Sequence, residues 1–121
     1  MKAYAAITAF AALAQETRLE AFRRLIEAGP TGLSAGDVAA ACGASAPTMS
    51  FHLKELSRAG LIQSRKDGRQ VIYAADFNGV RGLIDFLMRD CCKSDPVFCS
   101  PYLDEANEHV NGNQEKKETA K

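Results

Sequence analysis

Ser45-Ala46-Pro47-Thr48-Met49-Ser50-Phe51-His52-Leu53-Lys54-Glu55-Leu56-Ser57-Arg58-Ala59-Gly60 decides how this chain folds. Ser45 is a helix-capping residue, because its hydroxyl accepts a hydrogen bond from an N–H of the first turn that has no partner within the helix. Pro47 is tolerated in that first turn, and Gly60 stops the helix. Met49, Leu53 and Leu56 form its apolar stripe. Ala46, Thr48 and Ser50 keep the N-terminal end slender, and Lys54 and Arg58 lie on the outer face.

Upstream, Cys42-Gly43-Ala44 makes a tight turn. Before it, Ser34 followed by Asp37 opens a short helix through about Ala41, a variant of the capping box. Another helix is expected over Thr17–Ala28, with Leu19, Phe22, Leu25 and Ile26 on one face, halted by Gly29-Pro30-Thr31-Gly32. The Ala-rich stretch Ala3–Ala14 shows helical spacing at Ile7, Phe10, Ala11 and Ala14. Its start superficially imitates a signal peptide, but it has a single Lys and is interrupted by Thr8, so it reads as a retained amphipathic helix.

Downstream of Gly60 the period changes. Leu61–Lys66, then Asp67-Gly68, then Arg69–Ala74 read as a β-hairpin, with Asp-Gly supplying the positive φ of a two-residue turn. Asp76 caps a fifth helix to about Cys92, with Val80, Leu83, Ile84, Leu87, Met88 and Cys91 at helical spacing. Beyond Pro101 the chain is polar and reads as a flexible tail.

The expected architecture is mainly α with a β-hairpin wing. Two short helices joined by a Gly-containing turn and followed by a charged hairpin make a winged helix-turn-helix of four helices, two strands and a fifth helix. Residues 1–92 form that domain, and residues 93–121 form a cysteine-containing extension and polar tail.

The 121 residues carry 15 Lys+Arg against 15 Asp+Glu, 46% hydrophobic and 25% charged, which is globular composition for one domain. Zero net charge excludes a broadly basic nucleic-acid coat protein but permits a local patch. Ser45–Tyr73 holds such a patch: Lys54, Arg58, Arg65, Lys66 and Arg69 against Glu55 and Asp67, a net +3. Lys and Arg on helices commonly mean only a solvated face. The hairpin tip argues for more, because it concentrates cations where no core needs support. Double-stranded DNA is the partner this pattern suits, with a slender helix end for the major groove and cations for phosphates. The expected contact residues are Ser45, Thr48, Ser50, His52, Lys54, Arg58, Arg65, Lys66 and Arg69. His52 precedes the core residue Leu53, so a packed imidazole is as good a reading as a base contact. Phe51 lies toward the outer face.

The string Ser45–Leu56 with Ala59-Gly60-Leu61-Ile62, Thr17-Arg18-Leu19, and the wing Asp67–Tyr73 resembles the ArsR/SmtB family of metal-responsive repressors over roughly residues 13–92. The resemblance implies a homodimer held by the first and last helices. It also implies a palindromic operator, released when a thiophilic ion binds.

Cys91, Cys92 and Cys99 fall within nine positions of a chain with four cysteines. No apolar run reaches membrane-spanning length. A reducing cytoplasm is therefore expected, with thiols available for metal or redox chemistry. Neighbouring helical residues point about 100° apart, so Cys91 and Cys92 share an ion only where a helix ends, and Lys93-Ser94-Asp95-Pro96 supplies that ending. Three thiolates without an obvious fourth ligand suit arsenite or antimonite as inducer, whereas zinc prefers four ligands. Asp90, Asp95 or His109 would complete a Zn, Cd or Pb site. The resemblance implies the arsenic-responsive branch and Cys91, Cys92 and Cys99 as ligands. Cys42 fills a small gap.

Blander alternatives stand beside this one. Cys91 fits burial in a dimer seam, and Cys92 with Cys99 fits a disulfide. A thiol redox or persulfide sensor on the same scaffold is the rival function, although a helix C-terminus opposes a thiolate. A thiol enzyme needs an activating base, and no His lies near the pair in sequence, so no enzymatic activity is expected.

Overall fold

The computed structural model describes residues 1–89. In chain order the elements are α1 (Ala3–Leu13), α2 (Glu16–Ala28), a 3-10 turn (Gly29–Thr31), β1 (Leu33–Ser34), α3 (Ala35–Cys42), α4 (Ala46–Arg58), β2 (Ile62–Asp67), β3 (Gln70–Ala75) and α5 (Phe77–Met88). Met1–Phe86 form one compact unit, and Leu87 begins a second. The expected domain boundary at 92/93 and the polar tail lie outside the described residues.

The caps expected from sequence are present. Ser34 Oγ accepts from the Asp37 N–H at 3.1 Å, and Ser45 Oγ accepts from the Thr48 N–H at 3.3 Å. Asp76 Oδ1 accepts from the Gly79 N–H at 3.1 Å. Each satisfies a first-turn donor that the helix itself leaves unpaired. At the start of α2 that role falls to Gln15, whose side chain accepts from the Arg18 N–H at 2.8 Å.

Leu25 of α2, Val38 of α3, Met49, Leu53 and Leu56 of α4, and Leu61 are fully buried and make the centre of the core. Leu83 of α5 closes it. α1 packs inward through Ala6, Ala9 and Ala12, while Tyr4, Ile7 and Phe10 are exposed, Ile7 by 66%. A helix that is apolar nearly all round carries two candidate stripes, and periodicity alone does not choose between them. Leu19, expected on the inner face of α2, is likewise exposed, as is Ile84 of α5.

A strand not anticipated from the sequence joins the hairpin. β1 pairs antiparallel with β3, Leu33 opposite Tyr73 and Ser34 opposite Ile72, giving the sheet order β1-β3-β2. It is two residues long and its second residue doubles as the cap of α3, so it has no alternation to read. The hairpin register also differs by one position. Asp67 pairs with Gln70, which makes Gly68-Arg69 the two-residue loop. Gly68 sits at φ +66° in its first position, where the turns of two-residue hairpins call for positive φ.

Candidate nucleic-acid interface

α3, its turn and α4 hold the candidate interface. Gly43 ends α3 in the left-handed conformation, φ +66°, and its N–H donates to the Ala40 carbonyl. Ser45 then starts α4, and its hydroxyl also donates to Thr48 Oγ1 at 2.9 Å. The two hydroxyls expected at the groove therefore also build the helix cap. With Met49, His52, Leu53 and Leu56 inward, α4 leaves Pro47, Ser50, Phe51, Lys54 and Arg58 exposed on its opposite side. Arg58 donates to Glu55 at 2.8 Å, which holds its guanidinium along the end of the helix.

The wing carries Arg65 and Lys66 on β2 and Arg69 in the loop. Arg65 donates to the Thr31 carbonyl at 2.9 Å and to the Pro30 carbonyl at 3.4 Å. It therefore ties the hairpin to the turn after α2 as well as adding charge. Lys66 and Arg69 are exposed at the far end of the hairpin. Replacing either by Ala is expected to weaken binding to duplex DNA and to reduce the salt slope by about 0.9 for each phosphate no longer neutralised. Titrations of labelled duplex at several salt concentrations measure this, and unchanged affinity and slope would remove the wing from the DNA-binding surface.

His52 is placed with the core, 8% exposed, not on the presented face. This answers the alternative left open by sequence in favour of a packed imidazole. Arg18 of α2 donates from Nε to the Ala12 carbonyl of α1 at 2.7 Å and meets His52 Nδ1 at 3.2 Å. A guanidinium only donates, so Nδ1 accepts and the neutral ring carries its proton on Nε2. Arg18 thus links the end of α1 to α4. Nothing local in the sequence signals this role, because the partner lies 34 positions away.

Burial, and then the neighbouring Arg18 charge, push the His52 imidazole below its ordinary range. The unfolded chain therefore binds this proton more readily than the fold does. The stabilisation from the neutral ring is complete above the ordinary imidazole value of 6.5 and is lost as pH falls through the lower native value. Urea unfolding at pH 7.5 and on acidification should show this loss in the wild type and a smaller one in His52→Gln. Equal losses would place the pH dependence elsewhere.

The expected ligands Cys91, Cys92 and Cys99 lie outside the described residues. Cys42 is a half-buried free thiol at the end of α3, and burial raises its pKa, as Glu20 does more weakly. It is a poor nucleophile for that reason. Among the described residues no three His, Cys, Asp or Glu side chains are grouped to hold a metal ion, and no helix is long and apolar enough to cross a membrane.

A capped helix with a slender start, a cationic outer face and a cationic wing on one scaffold define a winged helix-turn-helix DNA-binding regulator. Comparisons with known proteins agree. Residues 13–65 match the helix-turn-helix domain family. The transcriptional activator HlyU of Vibrio cholerae is 30% identical over 89 residues, 74% of this chain and 80% of that one. The HTH-type regulator YceK of Bacillus subtilis is 43% identical over 60 residues, 50% of this chain, which spans only 59% of YceK. An ArsR-like transcriptional regulator from Rhodococcus sp. RHA1 superposes with a TM-score of 0.65 at 27% identity, covering 88% of this chain and 92% of that one. The HlyU structure gives 0.59 at 30% identity, covering 74% and 96%. The chain belongs to the ArsR family of transcriptional regulators.

Proposed function

We propose that this protein is a dimeric repressor that occupies a palindromic operator and leaves it when trivalent arsenic or antimony binds Cys91, Cys92 and Cys99. The observation that carries the inducer reading is the placement in sequence of three thiols within nine positions, beginning three residues after Met88 ends α5. Thiolates prefer soft ions. Arsenous acid exchanges three hydroxyls for three thiols, and each thiol proton leaves with a hydroxyl as water.

The dimer reading is supported by apolar residues left exposed on two helices: Tyr4, Ile7 and Phe10 on α1, and Ile84 on α5. Large exposed apolar residues gathered on an element mark interaction surfaces. Two half-sites are read together only if the two α4 helices sit about one DNA turn apart. An ion that draws the chain after α5 together would shift α5 in the dimer seam and disturb that spacing. Ion and DNA then oppose each other reciprocally, with a coupling of about 1–3 kcal/mol.

A second reading, release by thiol oxidation or persulfide, is favoured by one observation: HlyU has been solved in a form described as reduced. Titrating the purified dimer on its own upstream DNA with arsenite, antimonite, zinc, cadmium, lead and persulfide decides between them. Release by arsenite or antimonite is expected. Release by a divalent metal alone, or by persulfide alone, would replace the proposal. Transcript levels of the adjoining genes should rise when the protein is deleted, and a fall would make it an activator, as HlyU is named.

A further inference from the structure

We propose that Phe51 reads a thymine C5-methyl group in each operator half-site. This rests on the DNA-binding reading and names the chemistry of one of its contacts.

Phe51 is 56% exposed on a helix face otherwise made of Pro47, Ser50, Lys54 and Arg58. At about 100° per residue it projects roughly 150° from the direction set by Met49, His52, Leu53 and Leu56, close to the middle of the outer face. The core therefore does not account for it. Its position in the second turn of α4 lies next to the slender end that enters a groove. Lys54 and Arg58, three and seven residues on, share its face and suit the phosphates at the groove walls.

A phenyl ring offers no hydrogen bond, so it does not distinguish the donors and acceptors along base edges. The one apolar group that unmodified DNA displays in the major groove is the thymine methyl. An aromatic ring presented there selects T by burying that methyl against itself. The ring has one aromatic neighbour on its own helix. It lies edge-on to His52, centroids 5.6 Å apart and planes at 61°. His52 is in turn fixed by Arg18, which is bound to the Ala12 carbonyl.

The test uses the duplex that the full-length protein protects upstream of its own gene, with each T replaced singly by deoxyuridine. That change removes the methyl and leaves base pairing and O4 untouched. The wild type should lose about fourfold in affinity at one T per half-site, the worth of burying one methyl-sized group. Phe51→Ala should bind more weakly overall and be indifferent to deoxyuridine at that same T, and Phe51→Leu should keep part of the discrimination. Because Phe51 is exposed, thermal melts of both variants should match the wild type, and they confirm that folded proteins are compared. A flat thymine-to-uracil profile in the wild type, or an unchanged profile in Phe51→Ala, would overturn the assignment while DNA binding stands. Folded wild-type protein that binds no duplex at all would overturn both.

Discussion

Replacing Cys91 or Cys92 by serine is expected to leave DNA binding within about twofold of the wild type and to abolish release by arsenite. The expectation follows from separating the two surfaces in sequence. The exposed side of α4 and the wing lie between residues 46 and 75, and neither thiol belongs to them. Serine keeps the size of cysteine but neither loses its proton near neutral pH nor binds soft ions, so the inducer loses a ligand while the protein loses little else. With a coupling in the range common for allosteric effectors, arsenite should weaken wild-type binding by about 5- to 150-fold. Anisotropy of a labelled duplex with and without arsenite measures both quantities at once. Release retained in both variants would remove the pair from the site. Cys99→Ser adds a second distinction: full loss makes it an essential ligand, and partial loss makes the site one of two thiols that Cys99 only strengthens.

Gly79→Ala is expected to destabilise the fold by about 3 kcal/mol, a fall in Tm of roughly 10–20 °C for a domain of this size. A Cβ on Gly79 would run into the carbonyl oxygen of Gly60. That carbonyl has little room to retreat, because the Gly60 N–H donates to Ser57 and the Leu61 N–H to Leu56, while Asp76 donates to the Leu61 carbonyl at 2.9 Å. The first turn of α5 and the turn after α4 are thus backbone against backbone. Gly32→Ala should be comparably severe for two reasons. Its φ of +73° is strained for any L side chain, and the new Cβ would meet the Tyr73 carbonyl and Ile72. Gly36→Ala is the control. It has ordinary helical geometry with only Ser34 Oγ nearby, at 3.9 Å, so it should be neutral or stabilising by up to about 1 kcal/mol. Thermal melts of the three variants check the ranking. A Gly79→Ala protein as stable as Gly36→Ala would contradict the close approach.

Much of the architecture was legible because its signals are local. Ser34, Ser45 and Asp76 each cap the helix that follows, because a short polar side chain reaches only its own first-turn donors. Gly29 and Gly43 end α2 and α3 at positive φ, and a glycine at the wing tip reverses the strand. The slip of one position in the hairpin has a physical source. Asp67-Gly68 and Gly68-Arg69 both supply a glycine for the turn, and the cross-strand pairing from Ile62 opposite Ala75 onward selects between them. The double duty of Ser34 hid β1, and the all-round apolar character of α1 hid which of its faces is buried.

The candidate site was legible in its charges and less so in their employment. Lys54, Lys66 and Arg69 stand exposed, as a pattern of cations without a core to support suggests. Arg65 also clamps the wing to the Thr31 carbonyl, and His52 is interior, held by Arg18. Composition, capping and periodicity determined a winged helix-turn-helix with an exposed cationic face, because those signals act within a few residues of one another. Only the tertiary structure decided that Arg18 joins α1 to α4 and that α1 turns its alanines inward. Such contacts depend on how helices cross, and no spacing along the chain encodes a crossing.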